Sequence, residues 1–380
     1  MNPQRRRWLK QIGALAPLVA ALPVRAQPAT ATATAVDAAA DPVRPGRVLV
    51  FPQDHGAHPG TRTEWWYATG WLGSEAAPTH GFQITFFRSA TGLARGNTSR
   101  FAAKQLLFAH AAVTALAPAG AGSTHGHDQR MVRWSGAPEA ATGHAAVGRG
   151  AVQLAGWSLH DDGSAWRAQA QGGALALDLT LARTQPLLLQ GQAGFSRKGP
   201  EMRQASHYYS EPQLAASGRL RLDGRDTRGQ GRAWMDHEWS DEILAAGAVG
   251  WDWLGMNLFD GSALTAFVLR RADGSTLWAG GSFRAPGVAA RSFSADEVRF
   301  TAGRRWRSPA TAASYPVEWQ VASPAGRHTV RALADAQELD SRAGTGTVYW
   351  EGLSELLDAQ GRRVGLGYLE MTGYAAALKL

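Results

Sequence analysis

The segment Ala233-Trp234-Met235-Asp236-His237-Glu238-Trp239-Ser240 sets an imidazole between two carboxyls and encloses all three between indoles. Residues of these types, this close, can move a proton in a site that excludes water. In a strand, side chains alternate between faces. His237, Trp239 and Met235 then share one face, and Asp236, Glu238 and Trp234 the other. The face carrying His237 is either a buried structural pairing or a proton-handling site in an apolar pocket. A second candidate is Asp252, between Trp251 and Trp253. Its same-face neighbours are Leu254 and Met256, so it points toward an apolar interior. Burial disfavours the charged carboxylate and raises its pKa. A carboxyl kept neutral in this way can protonate an otherwise inert group such as a carbon–carbon double bond.

Other acids also stand beside aromatic rings. Glu64 precedes Trp65-Trp66-Tyr67, and Glu351 follows Tyr349-Trp350. Together with Tyr208, Tyr209, Trp251 and Trp253 they are candidate walls of a ligand site, although an acid on a strand is more often simply solvated. Several chemistries are missing. There is no Gly-x-Ser-x-Gly elbow, no phosphate-cradling Gly-Lys loop and no dinucleotide fingerprint. His237-Glu238-Trp239-Ser240-Asp241 begins like a zinc-protease helix, but Asp241 stands where the second His is needed, and Trp239 suits a strand. His125-Gly126-His127 offers two imidazoles to a metal, yet it lies in a Gly-, Ala- and Pro-rich stretch (117–150) that reads as a solvated loop with one short helix at most. The chain has no cysteine, which excludes thiolate chemistry and disulfides. No metal and no cofactor is expected.

These residues need a scaffold of strands. Of the 380 residues 44% are apolar and 18% charged, with 44 Gly and 15 Trp, and long helical periodicity is lacking. That favours an all-β protein with many turns. Glu64–Leu72 and Gly81–Arg88 read as a hairpin and Phe108–Thr114 as a third strand. Trp251–Phe259, the turn Asp260-Gly261 and Ala263–Arg270 repeat the plan. In both halves a Trp-opened strand returns as an apolar strand ending in Arg, and each half reaches a Tyr-rich strand, at 207–210 and at 367–374. The expectation is two tandem antiparallel β-barrels, 48–215 and 216–380.

Ahead of them, residues 1–26 read as an export signal. Arg5-Arg6-Arg7-Trp8-Leu9-Lys10 fits the twin-arginine pattern, Ile12–Leu22 is apolar, and Val24-Arg25-Ala26 is an acceptable cleavage site. Residues 27–47 read as a disordered leader, and the mature protein is expected in the periplasm or outside the cell. Cleavage removes five of the 39 basic residues and none of the 31 acids. The formal charge falls from +8 to about +3, too little for a nucleic-acid footprint.

Taken together, Glu64–Gly70, Gly81–Arg88, Phe108–Ala111, Ala233–Trp239, Gly250–Trp253, Tyr349–Gly352 and Tyr368–Tyr374 resemble the AttH-like proteins, a lipocalin-like family related to bacterial carotenoid 1,2-hydratases and often described only as predicted secreted hydrolases. The resemblance covers about residues 48–374. It implies two lipocalin-like barrels and a hydrophobic ligand, isoprenoid or lipid-like. The hydratase branch adds water across a carbon–carbon double bond without a cofactor, using a His, a Trp two residues on and an Asp. By resemblance these roles fall on His237, Trp239 and Asp252, with Asp236 as a candidate to fix the His tautomer. Three readings stay open: a hydratase-type enzyme, a non-catalytic carrier that hands lipid or pigment to a partner such as a membrane export system, and a purely structural seam.

Overall fold

The computed structural model describes residues 42–93, 96, 97, 99, 102–117, 122–134 and 142–378. The export signal and most of the leader lie outside the described residues. Among the described residues one 3-10 turn, Gln53–His55, precedes the first strand. The strands of the first half are β1 (Thr63–Gly73), β2 (Pro78–Ala90), β3 (Gln105–Ala115), β4 (Thr124–Trp134), β5 (Gly143–Ala145), β6 (Ala151–Leu154), β7 (Trp157–Asp161), β8 (Ala165–Gln171), β9 (Leu175–Ala182), β10 (Leu188–Leu189), β11 (Phe195–Arg197), β12 (Ala205–Leu222) and β13 (Arg225–Ser240). They form one antiparallel sheet in the order β4-β3-β2-β1-β13-β12-β9-β8-β7-β6-β5, with β10 and β11 paired to β12. The edges β4 and β5 meet, so the sheet is a nearly closed barrel.

The second half contains β14 (Gly250–Leu258), β15 (Ala263–Arg270), β16 (Thr276–Arg284), β17 (Arg291–Phe293), β18 (Arg299–Ala302), β19 (Arg305–Arg307), β20 (Ser314–Pro316), β21 (Glu318–Ser323), β22 (Gly326–Ala332), β23 (Glu338–Ser341), β24 (Thr347–Leu357) and β25 (Arg363–Thr372). Their large sheet runs β17-β16-β15-β14-β25-β24-β22-β21-β18. The two halves share a plan. In each, the first strand pairs with both the second and the last, β1 with β2 and β13, and β14 with β15 and β25. The protein is two tandem lipocalin-like barrels.

The boundary differs from the expected 215/216. β12 runs straight through that point, and the chain leaves the first sheet after Ser240 and enters the second at Gly250. The Tyr-rich segment 207–210 is therefore in the penultimate strand, and the Asp-His-Glu strand β13 closes the first barrel. The leader also ends in contacts: the Val43 amide donates to Asp241 Oδ2 (3.1 Å), and Arg47 pairs with Asp54 (3.0 Å). Part of the expected loop 117–150 is strand β4, which pairs along its length with β3.

Burial along β13 explains how the motif is presented. Its first half, Arg225–Arg232, is exposed or half-buried, whereas Ala233–Ser240 is buried on both faces. One face meets the first barrel's core, with Trp66, Phe82 and Met235. The other meets a third apolar cluster between the sheets, which includes Tyr67, Trp234, Trp253 and Phe267. Polar clamps fix the halves together. Asn257 donates to the Ala233 carbonyl (3.0 Å), and the Gln213 side chain donates to the carbonyls of Leu258 and Ser262.

Candidate functional site

β13 presents two polar clusters, one on each face. On the inner face, register places His237 between Trp66 of β1 and Tyr209 of β12. His237 Nε2 lies 3.0 Å from Glu64 Oε1, and its Nδ1 lies 3.1 Å from the Asp54 carbonyl and 3.2 Å from the Tyr209 hydroxyl. Glu64 also meets His58 Nδ1 (2.7 Å) and Arg88 Nε (2.7 Å). His58 bridges onward to Asp54 (3.0 Å) and stacks on Trp239 at 3.7 Å. Burial opposes charge on Glu64, but Arg88 and His58 outweigh it and hold the carboxyl well below its usual value. Burial likewise opposes a charged His58, yet Glu64 and Asp54 raise its pKa. His237, fully enclosed, is pushed down by desolvation.

His58, Glu64 and His237 are close enough to take a divalent ion. The donor set speaks against one. Arg88 already holds the second Glu64 oxygen, and His58 already spans two carboxylates. The cluster is complete as a hydrogen-bonded network inside the first barrel.

Asp252 is elsewhere. It faces the interior of the second barrel, as its neighbours Leu254 and Met256 do. There it meets Arg270 Nε (2.7 Å) and accepts from the Tyr374 hydroxyl (2.9 Å). Burial raises it to about 6. The expected union of His237 and Trp239 with Asp252 is thus corrected. The structural reason is the repeat: each barrel buries one acid–arginine pair across its first two strands, Glu64–Arg88 and Asp252–Arg270. The carboxyl that reaches His237 is Glu64, expected only as a ligand wall.

The outer face of β13 opens on a cavity of about 450 Å³ between the sheets. Of the expected residues it gathers Glu64, Trp65, Tyr67, Tyr208, Asp236, Trp251, Trp253, Tyr349 and Glu351 along its walls, although the Glu64 carboxylate turns inward to His237. Trp66, Tyr209, His237 and Trp239 belong to the first barrel's interior instead. Asp236 does not orient His237. It accepts from Tyr208 (2.8 Å), Ser210 (2.5 Å) and Trp234 (2.7 Å), all on its own face. Burial nevertheless lifts it to about 7, against those bonds.

Glu370, Lys198 and His110 also line the cavity, and none of them was expected at the site. Glu370 lies opposite Glu351 across β24 and β25 and accepts from Trp251 Nε1 (3.1 Å). Desolvation raises it to about 8. Glu351, buried and facing the Glu370 charge, is raised well above the carboxylate range. The Tyr67 hydroxyl lies beside it and donates toward its carboxyl, which offsets only part of that rise. Lys198 pairs with Glu238 (2.8 Å) and lies against the rings of Tyr208 and Phe267. His110 contacts the Tyr349 hydroxyl (2.6 Å), and burial depresses it to about 3, so the ring is neutral. Strand alternation does signal Glu238, on the Asp236 face. Nothing local signals Lys198. His125 and His127, read as part of a solvated loop, lie on β4 instead, where Thr114 and the Asp340 carbonyl respectively engage them.

The sequence profile of AttH-like proteins matches residues 42–374. The chain belongs to the AttH-like family. It is 43% identical to a Nitrosomonas europaea protein provisionally assigned as AttH, whose crystal structure superposes with a TM-score of 0.78 over 88% of this chain and 99% of that one. The kievitone hydratase of Nectria haematococca is 14% identical, with a TM-score of 0.62 over 87% and 94% of the two chains. CghA is 14% identical, with a TM-score of 0.50 over 90% and 97%. These two share the fold with this AttH-like protein. No curated protein sequence matches the chain.

Proposed function

We propose that this AttH-like protein adds water across a carbon–carbon double bond of an apolar, isoprenoid or lipid-like ligand held between its two barrels. One observation carries the reading. The cavity is walled mainly by aromatic and aliphatic side chains, and burial keeps three of its carboxyls, Asp236, Glu351 and Glu370, above the usual range. A neutral carboxyl in a dry site is an acid available at neutral pH.

Glu351 is the assigned proton donor, because burial keeps its carboxyl neutral on the cavity wall, beside the Tyr67 hydroxyl and opposite Glu370. Its proton forms the new C–H bond at the less substituted alkene carbon. The cation left on the other carbon is stabilised by the ring faces of Tyr67 and Trp253, at about 2 kcal/mol when desolvated. Water then forms the C–O bond, and the proton it sheds returns to the Glu351–Glu370 pair. Two facing carboxyls resist holding two charges, so the pair readily takes that proton back. The kievitone hydratase that shares this fold is named for the same class of reaction.

A carrier is the second reading, favoured by the predominance of apolar wall over polar groups in the cavity. The twin-arginine segment supports work in the periplasm or outside the cell, and a carrier there would pass its cargo to an export system. Incubation with acyclic carotenoids or squalene-like lipids in heavy water distinguishes the two. The enzyme yields a deuterated alcohol with wild type and none with Glu351→Gln. Stoichiometric lipid that copurifies and is returned unchanged, with equal null turnover in both proteins, overturns the enzyme reading.

A further inference from the structure

A second cavity of about 550 Å³ lies at the seam between β11 and β16. It shares one wall with the first: the Phe267 ring lines both. The ring's place is set by an absent side chain. Gly280 stands opposite Phe267 across β15 and β16, and a Cβ there would come within 2.8 Å of the ring's tip. On the first-cavity side the Lys198 ammonium lies 4.2 Å from the ring's centre. The second cavity's other walls near this point, Trp278 and Phe293, are also aromatic.

We infer that the second cavity binds the unreacting apolar tail of the ligand, and that Phe267 is the partition the tail displaces. The inference rests on the proposed ligand site between the barrels but not on its chemistry. At roughly 30 Å³ per water-sized group, the first cavity holds about fifteen methylene-sized units. A ligand confined to it stops gaining affinity near that length. A ligand that turns the Phe267 ring aside continues into the second cavity, which offers more room than the first. The ligand class is therefore a single unbranched or methyl-branched chain substantially longer than fifteen carbons, with its reactive double bond at the Glu351 end.

The test is equilibrium binding of primary alcohols of 10 to 22 carbons, delivered from cyclodextrin and read by displacement of anilinonaphthalene sulfonate. Wild type should gain up to about fourfold in affinity per methylene, and the gain should continue past fifteen carbons. Gly280→Val crowds the ring and fills the passage, and should end the gain near fifteen. Phe267→Ala, which opens the wall, should bind the longest alcohols more tightly than wild type, and keeps the test decisive if the valine variant does not fold. A wild-type plateau near fifteen carbons overturns the inference, as does a Gly280→Val protein with the wild-type length dependence or a Phe267→Ala protein with no long-chain gain. None of these readouts requires turnover, so a failed hydration assay and a failed tail site are separate results.

Discussion

Glu370 offers a direct measurement of how dry the cavity is. Its carboxyl rises from 4.5 to about 8, chiefly through desolvation. Between those values the folded protein holds a proton that the unfolded chain has released. Stability from this group is therefore fully present below pH 4.5 and is lost as the pH rises through 8. At 1.36 kcal/mol per pKa unit, the loss is roughly 3–5 kcal/mol, the lower figure allowing for water that enters once the carboxyl ionises. Glu370→Gln keeps the shape and the acceptor for Trp251 Nε1 but removes the titration. It also removes a charge that helps to raise Glu351. With an unfolding entropy of ~2 cal/mol/K per residue, 1 kcal/mol is worth about 1.5 °C in a chain of this length. Melting curves from pH 4.5 to 9.5 should show the variant within about 2 °C of wild type at pH 5. At pH 9 it should melt about 4–7 °C higher. If the two proteins' melting temperatures run parallel across the range, Glu370 is solvated and the dry-cavity argument fails.

Other outcomes follow from the same geometry. Asp252→Asn should lower the melting temperature by stranding Arg270 while leaving any hydration rate within about twofold, because that pair lies in the second barrel's interior; loss of turnover with a normal melting temperature would return Asp252 to the chemistry. Glu64→Gln should cost about 3–5 kcal/mol in denaturant unfolding, since it leaves the buried Arg88 without its counter-charge. Lys198→Met removes the buried cation that pairs with Glu238 and should lower the melting temperature at neutral pH in a thermal denaturation scan.

The all-β architecture was legible because it depends on composition, turn residues and period-two alternation, which are local. The face assignments of β13 followed from the same alternation. The tandem repeat was legible too, in the Trp-opened strands that return to an arginine. What the repeat meant was missed. Arg88 and Arg270 each neutralise an acid in their own barrel, so Glu64 and Asp252 are counterparts rather than members of one site. Register across distant strands decides such pairings, and sequence spacing does not carry it. Glu370 was passed over because its neighbours Leu369 and Met371 hide it in an apolar run; only the pairing of β24 with β25 sets it against Glu351. His58 sits in a loop with no periodicity at all. The boundary was misplaced because β12 continues through Ala215–Leu222, where its burial falls away.

The double burial of Ala233–Ser240 gives the motif a physical rationale. A strand with one face in a barrel core and the other on a ligand cavity must satisfy two sets of polar groups at once. On the core face, His237 is held by Glu64 and the Asp54 carbonyl, with Trp66 and Trp239 packed beside it. That arrangement holds the strand from its core side. On the other face, one residue to either side, Asp236 and Glu238 inherit those positions, where three donors and a lysine hold them. The imidazole most suggestive of catalysis is thus a positioning group for the carboxyls of its two chain neighbours, Asp236 and Glu238. His237→Gln should therefore disturb stability first and the cavity's pH dependence only through it. A variant that melts normally yet shifts the pH profile of ligand binding would show that the inner network communicates with the cavity by charge rather than by holding the strand.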